Sequence, residues 1–227
     1  MKADRSEKIE TEQTKQHRIA VFLDSMEQDL PQYLEEIEQE AIRLRVPILR
    51  RESRGLLRFL LINNRPKRIL EVGTAIGFSS LYMSEYLSQD AHIDTIEKYE
   101  KWSAIANRNI VATQKNHQIT LLEGDAAQIL PELLPPYDFI FMDAAKAQYL
   151  PFLPHALRLL RVGGVLVSDN CLQDGDILES RFAITHRDRT IHARMRQYLY
   201  EITHHQLLTT VILPNGDGVA VSVKTRE

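Results

Sequence analysis

Arg68-Ile69-Leu70-Glu71-Val72-Gly73-Thr74-Ala75-Ile76-Gly77 is the stretch on which the fold turns. An apolar run closes on Glu71-Val72, turns at Gly73 and enters a helix-like pattern after Gly77. Strand, glycine turn and helix in that order form the repeating unit of an open α/β sheet, whose ligands sit outside the carboxyl ends of its parallel strands. The pattern recurs. His92-Ile93-Asp94-Thr95-Ile96 closes on Glu97, Tyr137-Asp138-Phe139-Ile140-Phe141-Met142 on Asp143, and Gly163-Gly164-Val165-Leu166-Val167-Ser168 on Asp169-Asn170. Four strand ends carrying oxygen side chains therefore point at one crevice. Asp143, Asp169 and Asn170 are hard oxygen donors of the kind Mg²⁺ prefers.

Outward from that stretch, the alternation predicts strands at 68–72, 91–96, 118–122, 137–142 and 163–168. Helices are expected at 77–88, 98–114, 126–134, 147–161 and 187–204. Leu207–Leu213 and Val219–Val223 flank Pro214-Asn215-Gly216-Asp217, a strong hairpin signal that makes the last strand antiparallel to its partner. The expected architecture is thus a seven-stranded, mostly parallel α/β sheet. Before it, the pattern predicts a short helix from Ile19, a second from Pro31 past Leu44, and a third from Ile48 to about Asn63-Asn64, with a break at Val46-Pro47. Residues 1–18 read as a polar tail, and 19–227 as one domain: helices over 19–65, α/β core over 66–227.

The single cysteine, Cys171, excludes a disulfide framework and reads as a packed small side chain. No apolar run approaches the roughly 18–20 residues that span a bilayer, and the charged start Met1-Lys2-Ala3-Asp4-Arg5 does not read as a secretory signal. No membrane partner and a cytoplasmic location are expected. Charge is unevenly placed. Residues 1–40 hold eleven Asp/Glu against five Lys/Arg, whereas Arg43, Arg45, Arg50, Arg51, Arg54, Arg58, Arg65, Lys67 and Arg68 oppose only Glu52. Arg181, Arg187, Arg189, Arg194 and Arg196 form a second basic run. Either run alone reads equally well as a solvated helix face; two runs flanking one crevice favour a polyanionic partner.

Gly73 and Gly77 do not make the dinucleotide pattern G-x-G-x-x-G, so a pyrophosphate lacks its cradle. A nucleoside with an amino-acid tail suits the turn better than NAD. Glu97, at the second strand end, is placed to accept both ribose hydroxyls, and Gly124-Asp125-Ala126, at the third, to flank an adenine edge.

With Glu71-Val72-Gly73-Thr74, Gly77-Phe78-Ser79, Glu97, Gly124-Asp125-Ala126, Asp143-Ala144-Ala145-Lys146, Ser168-Asp169-Asn170 and Gly216-Asp217-Gly218, the chain resembles the cation-dependent class I S-adenosylmethionine O-methyltransferases, which include catechol and caffeoyl-CoA O-methyltransferases. The resemblance covers about residues 40–224 and implies a Rossmann-like methyltransferase fold. It implies methyl-donor contacts at Val46, Glu71, Gly73, Thr74, Ser79, Glu97, Gly124, Asp125, Ala126 and Asp143. It also implies a divalent cation, Mg²⁺ above others, on Asp143, Asp169 and Asn170, Lys146 as general base, and a homodimer, for which Phe22, Leu23 and Met26 are candidate contacts.

Within that family, Val46-Pro47-Ile48, Asp143-Ala144-Ala145-Lys146-Ala147-Gln148-Tyr149 and Thr190-Ile191-His192-Ala193-Arg194-Met195-Arg196 are similar to the bacterial tRNA 5-hydroxyuridine methyltransferases. That likeness implies 5-hydroxyuridine at the wobble position as acceptor and a tRNA anticodon stem-loop as partner. Arg43, Arg50, Arg51, Arg54, Arg58, Arg189 and Arg194 are then candidate phosphate contacts. A small catechol or caffeoyl ester is the alternative acceptor, and an idle RNA-binding protein on the same scaffold the alternative class.

Overall fold

The computed structural model describes residues 18–227 except 20, 24, 181–184, 186 and 187, and not the side chains of 173 and 174. Residues 1–17 of the expected polar tail, and Arg181 and Arg187 of the second basic run, lie outside the described residues. Residues 18, 19 and 21–23 are helical, and Ile19, Phe22, Leu23 and Met26 are exposed.

Helix α1 (Gln32–Leu44) starts directly after Pro31, whose carbonyl accepts the Leu34 and Glu35 N–H groups. It ends where Arg45 turns left-handed and the Val46 N–H returns to the Ala41 carbonyl. The next helix, α2 (Arg51–Asn64), begins three residues later than expected. Pro47 holds Val46 out of the helical region, and Arg50 is still extended at ψ 147. That delay leaves 46–50 as a linker running past the sheet's carboxyl edge.

Seven strands follow: β1 (Arg68–Val72), β2 (His92–Glu97), β3 (Ile119–Glu123), β4 (Tyr137–Met142), β5 (Leu160–Ser168), β6 (Leu208–Leu213) and β7 (Val219–Lys224). The helices between them are α3 (Phe78–Ser84), α4 (Glu100–Ala112), α5 (Ala126–Glu132), α6 (Tyr149–Leu159) and α7 (Arg189–His204). The order across the sheet is β3-β2-β1-β4-β5-β7-β6, with β7 antiparallel to both β5 and β6. The chain winds from β1 out to β3 and returns to β4, so β1 and β4 lie side by side where the winding reverses. A crevice opens at the carboxyl ends at such a point. β5 is longer than expected because Leu160 pairs with Tyr137 across a register shift.

Side-chain alternation along the strands divides the core. Ile69, Phe139, Phe141, Val165 and Val167 face α1, α2, α3 and Ile110 of α4. Leu70, Val72, Ile140, Met142 and Leu166 face α5, α6 and α7. Both faces are covered, as the continuous apolar strands require. Among the described residues no helix is long and apolar enough to cross a membrane.

Candidate functional site

A cleft of about 670 Å³ opens at the carboxyl edge over β1 and β4. Its position follows from backbone geometry. Gly73 takes φ +108°, and a Cβ there would lie 2.1 Å from the Asp143 carbonyl oxygen. The turn after β1 therefore presses on the turn after β4, and the absent side chain makes room for protein backbone. Next in the loop, Ala75 is held left-handed at φ 48°, a conformation an L-residue adopts at a cost of about 1–2 kcal/mol. Its N–H thereby reaches Glu97 Oε2 at 2.8 Å, while the Tyr99 N–H reaches Oε1 at 2.8 Å. Glu97 is so oriented at the second strand end, on the cleft wall.

Gly124, Asp125 and Ala126 line the same end. Asp125 caps α5 by accepting the Ala127 N–H and pairs with Lys98 Nζ at 2.7 Å, so Lys98 holds its carboxyl below the usual range. Val46, from the linker, closes the cleft from the helical side. Glu71, Thr74 and Ser79 lie beneath the cleft rather than on its wall. Thr74 bonds Thr95 at 2.6 Å, and Glu71 accepts from Ser80 and Thr95, with Ser79 close by. Burial pushes the Glu71 carboxyl up, and the hydroxyl donors work against that. The sequence placed these three residues on the donor; the structure buries them beneath the turn after β1, where Glu71 Oε1 has no hydrogen-bond partner.

At the other end of the cleft Asp143 and Asn170 line the wall, with Asp169 buried beside them. Asn170 Nδ2 donates to Asp143 Oδ1 at 2.9 Å. Asp169 Oδ1 accepts from the Asn170 N–H at 2.9 Å and from Ser53 Oγ at 3.3 Å. Asp169 Oδ2 is buried with no hydrogen-bond partner. Burial pushes Asp143 up to about 6 and Asp169 up to about 7, and in Asp169 the neighbouring Asp143 charge adds to the effect. Asn170 is left-handed at φ 56°, a strained position that keeps its amide beside the two carboxyls. Among the described residues no group of three His, Cys, Asp or Glu is gathered for a metal. The set here is two carboxylates and one carboxamide. Its unpartnered oxygen and mutually disfavoured charges fit a hard divalent cation bound through Asp143, Asp169 and the Asn170 carbonyl oxygen.

Lys146 follows on a single 3₁₀ turn, Lys146–Gln148, and lines the cleft. Its Nζ donates to Asp217 Oδ2 at 3.0 Å.

Residues 24–225 match the family described as O-methyltransferase. The chain belongs to the O-methyltransferase family. Among O-methyltransferases, the catechol O-methyltransferase of Niastella koreensis is 38% identical over 117 residues, covering 50% of this chain and 53% of that protein. The catechol O-methyltransferase of Mycobacterium tuberculosis is 32% identical over 113 residues, covering 49% of this chain and 51% of that one. The chain thus spans about half the length of these curated relatives. A Staphylococcus aureus crystal structure, provisionally named a caffeoyl-CoA O-methyltransferase, superposes with a TM-score of 0.84 at 30% identity, over 90% of this chain and 98% of that one. The O-methyltransferase from Bacillus cereus in complex with SAH shares the fold, with a TM-score of 0.80 at 24% identity over 92% and 97% of the two chains.

The arginines expected to meet RNA separate. Arg43, Arg51 and Arg194 are exposed, and Arg189 is half-buried at the start of α7. Arg58 pairs with Glu27 at 3.5 Å. Arg50 is also exposed, with 42% of its side chain in solvent, but it lines the cleft wall, Nη2 3.8 Å from Asp217 Oδ2. Arg54 corrects the sequence reading. It is 5% exposed, bonded to Glu38 at 2.6 Å and stacked over Phe78 at 4.7 Å, so it serves the packing of α2 on α1 and α3. The sequence reading also missed roles for Asp217, Tyr99 and Trp102, which line the cleft. Asp217 stood inside a quoted motif; the aromatics carried no signal beyond following Glu97. Cys171 is fully buried and its thiol pushed up to about 12 by that burial, which suits packing rather than nucleophilic chemistry.

Proposed function

We propose that this chain transfers a methyl group from S-adenosylmethionine to one of two neighbouring oxygens of its acceptor, with Mg²⁺ or a similar cation present, and that the acceptor is 5-hydroxyuridine at the wobble position of tRNA. The observation that carries this reading is the partnerless, buried Asp169 Oδ2 next to Asn170, which lines one cleft with Asp143, Lys146 and Glu97.

Glu97, held by the Ala75 and Tyr99 N–H groups, presents a carboxylate suited to a ribose diol, and Gly124-Asp125-Ala126 flank the neighbouring wall. The sulfonium donor supplies an electrophilic methyl carbon. A divalent cation on Asp143, Asp169 and Asn170 would supply a fixed point for two vicinal oxygens and acidify one of them. Lys146 Nζ is the group placed to take the acceptor's hydroxyl proton. The oxygen then forms its bond to the methyl carbon as the carbon–sulfur bond breaks, and that electron pair stays on the departing thioether. Alignment of the three atoms by the cleft walls is the main contribution expected of the protein.

O4 and O5 of 5-hydroxyuridine are vicinal, as in a catechol, and the wobble base is already unpaired in its loop. Arg43, Arg51 and Arg194 on the surface, with Arg50 at the cleft, support an anionic polymer as carrier of the acceptor. The second reading is a small catechol-type acceptor, favoured by the names of the curated relatives. Exposed Phe22, Leu23 and Met26 support a second copy of the chain as partner, which sedimentation would test.

The deciding assay offers labelled S-adenosylmethionine with a 5-hydroxyuridine anticodon stem-loop, the same stem-loop carrying uridine, or catechol. Label in the 5-hydroxyuridine RNA alone, lost with EDTA and restored by Mg²⁺, is expected. Label in catechol alone overturns the RNA acceptor, and no transfer to any of them leaves the idle RNA-binding protein.

A further inference from the structure

Asp217 lines the cleft with 1% of its side chain exposed, and its Oδ2 lies 3.0 Å from Lys146 Nζ. Its position is set by the fold. The β6–β7 hairpin turn closes with the Gly218 N–H on the Asn215 carbonyl at 2.8 Å. The Leu172 N–H then donates to the Asp217 carbonyl at 2.7 Å, and the Cys171 N–H to the Gly218 carbonyl at 2.9 Å. Gly218 is at φ +81°, and a Cβ there would lie 2.2 Å from Leu172 Cγ. The turn is thereby stitched to the segment leaving Asp169-Asn170. Lys146 has no comparable anchor: its long side chain starts from one 3₁₀ turn and is 32% exposed.

We propose that Asp217 is a positioning residue for methyl transfer. Its carboxylate selects, among the many rotamers of Lys146, the one that holds Nζ at the acceptor oxygen, and it stabilises the ammonium formed when the proton arrives. This is the arrangement of a base oriented by a third group. Arg50 Nη2 lies 3.8 Å from the same oxygen. The inference rests on the reading of Lys146 as proton acceptor.

Two measurements on the full chain test it. Limited acetylation with peptide mass mapping reads the contact without any acceptor: Asp217→Asn should acetylate Lys146 several-fold faster than wild type, with other lysines unchanged. In the transfer assay, Asp217→Asn should lower kcat about tenfold to a hundredfold with the methyl-donor KM unchanged, as expected for a misplaced group, and Asp217→Glu should recover part of it. Added to Lys146→Ala, Asp217→Asn should cost nothing more, because both act through one amine. Unchanged acetylation of Lys146, or losses that add in full, overturns the proposal. If Lys146→Ala collapses turnover while Asp217→Asn does not, this inference alone fails; if Lys146→Ala keeps wild-type kcat, the base assignment fails and takes this one with it. Should Asp217→Asn not fold, Asp217→Glu replaces it in the acetylation and in the cycle, with the same expected non-additivity.

Discussion

Gly73 and Glu97 show how single residues shape the cleft. At Gly73 a methyl group would meet the Asp143 carbonyl at 2.1 Å in a conformation that L-residues avoid. Gly73→Ala should therefore destabilise the protein by about 2–4 kcal/mol, strain and overpacking together; a urea midpoint matching wild type would refute the close approach. Glu97 has two backbone N–H partners and a position on the cleft wall. Glu97→Ala should weaken binding of the demethylated donor about 10- to 100-fold, the worth of hydrogen bonds to a charged group. Calorimetry with folded variant reads this, and unchanged affinity would place the ribose elsewhere. Both residues were named from sequence, because a glycine after a strand and an acid at the next strand end have few alternatives. Asp217 was not singled out, since its partner Lys146 is 71 positions away.

On the scale of elements, Asp138 ties three strands. Its Oδ2 accepts the N–H groups of Lys67 at 2.9 Å and Arg68 at 2.8 Å, at the start of β1, and its Oδ1 meets Arg161 of β5. Burial alone would raise this carboxyl, but Arg161 and the two N–H groups outweigh it and hold it below the usual range. A depressed folded-state pKa contributes stability above the unfolded value of ~4 that is lost as pH falls through the lower, folded value. Asp138→Asn should cost about 1–2 kcal/mol at neutral pH and flatten the loss of stability below pH ~4. Chemical denaturation from neutral to acid pH checks it, and parallel wild-type and variant curves across that acid range would remove Asp138 from the balance. Elements themselves were largely legible: β1 and β4 occur at the expected residues. The start of α2 was not, because its apolar spacing continues through Ile48-Leu49 while Pro47 keeps the backbone extended.

For the molecule as a whole, charge distribution carries the prediction. Arg43 lies near the end of α1 and Arg194 on α7, and both are exposed. Arg43→Glu with Arg194→Glu should weaken binding of the anticodon stem-loop and reduce the slope of log affinity against log salt by about one for each phosphate left without its arginine. Donor affinity should stay as in wild type. An unchanged salt slope would make these arginines ordinary surface and favour a small acceptor.

The local pattern of residues was enough for the α/β class, the antiparallel last strand and the strand-end oxygens, since short apolar runs bounded by glycine turns are short-range signals. Which arginines reach solvent, which of the motif residues floor the cleft, and that a hairpin turn near the far end of the chain meets Lys146 were decided only by tertiary structure. Burial and long-range pairing depend on how the helices close over the sheet, and no window of sequence contains both sides of such a pairing.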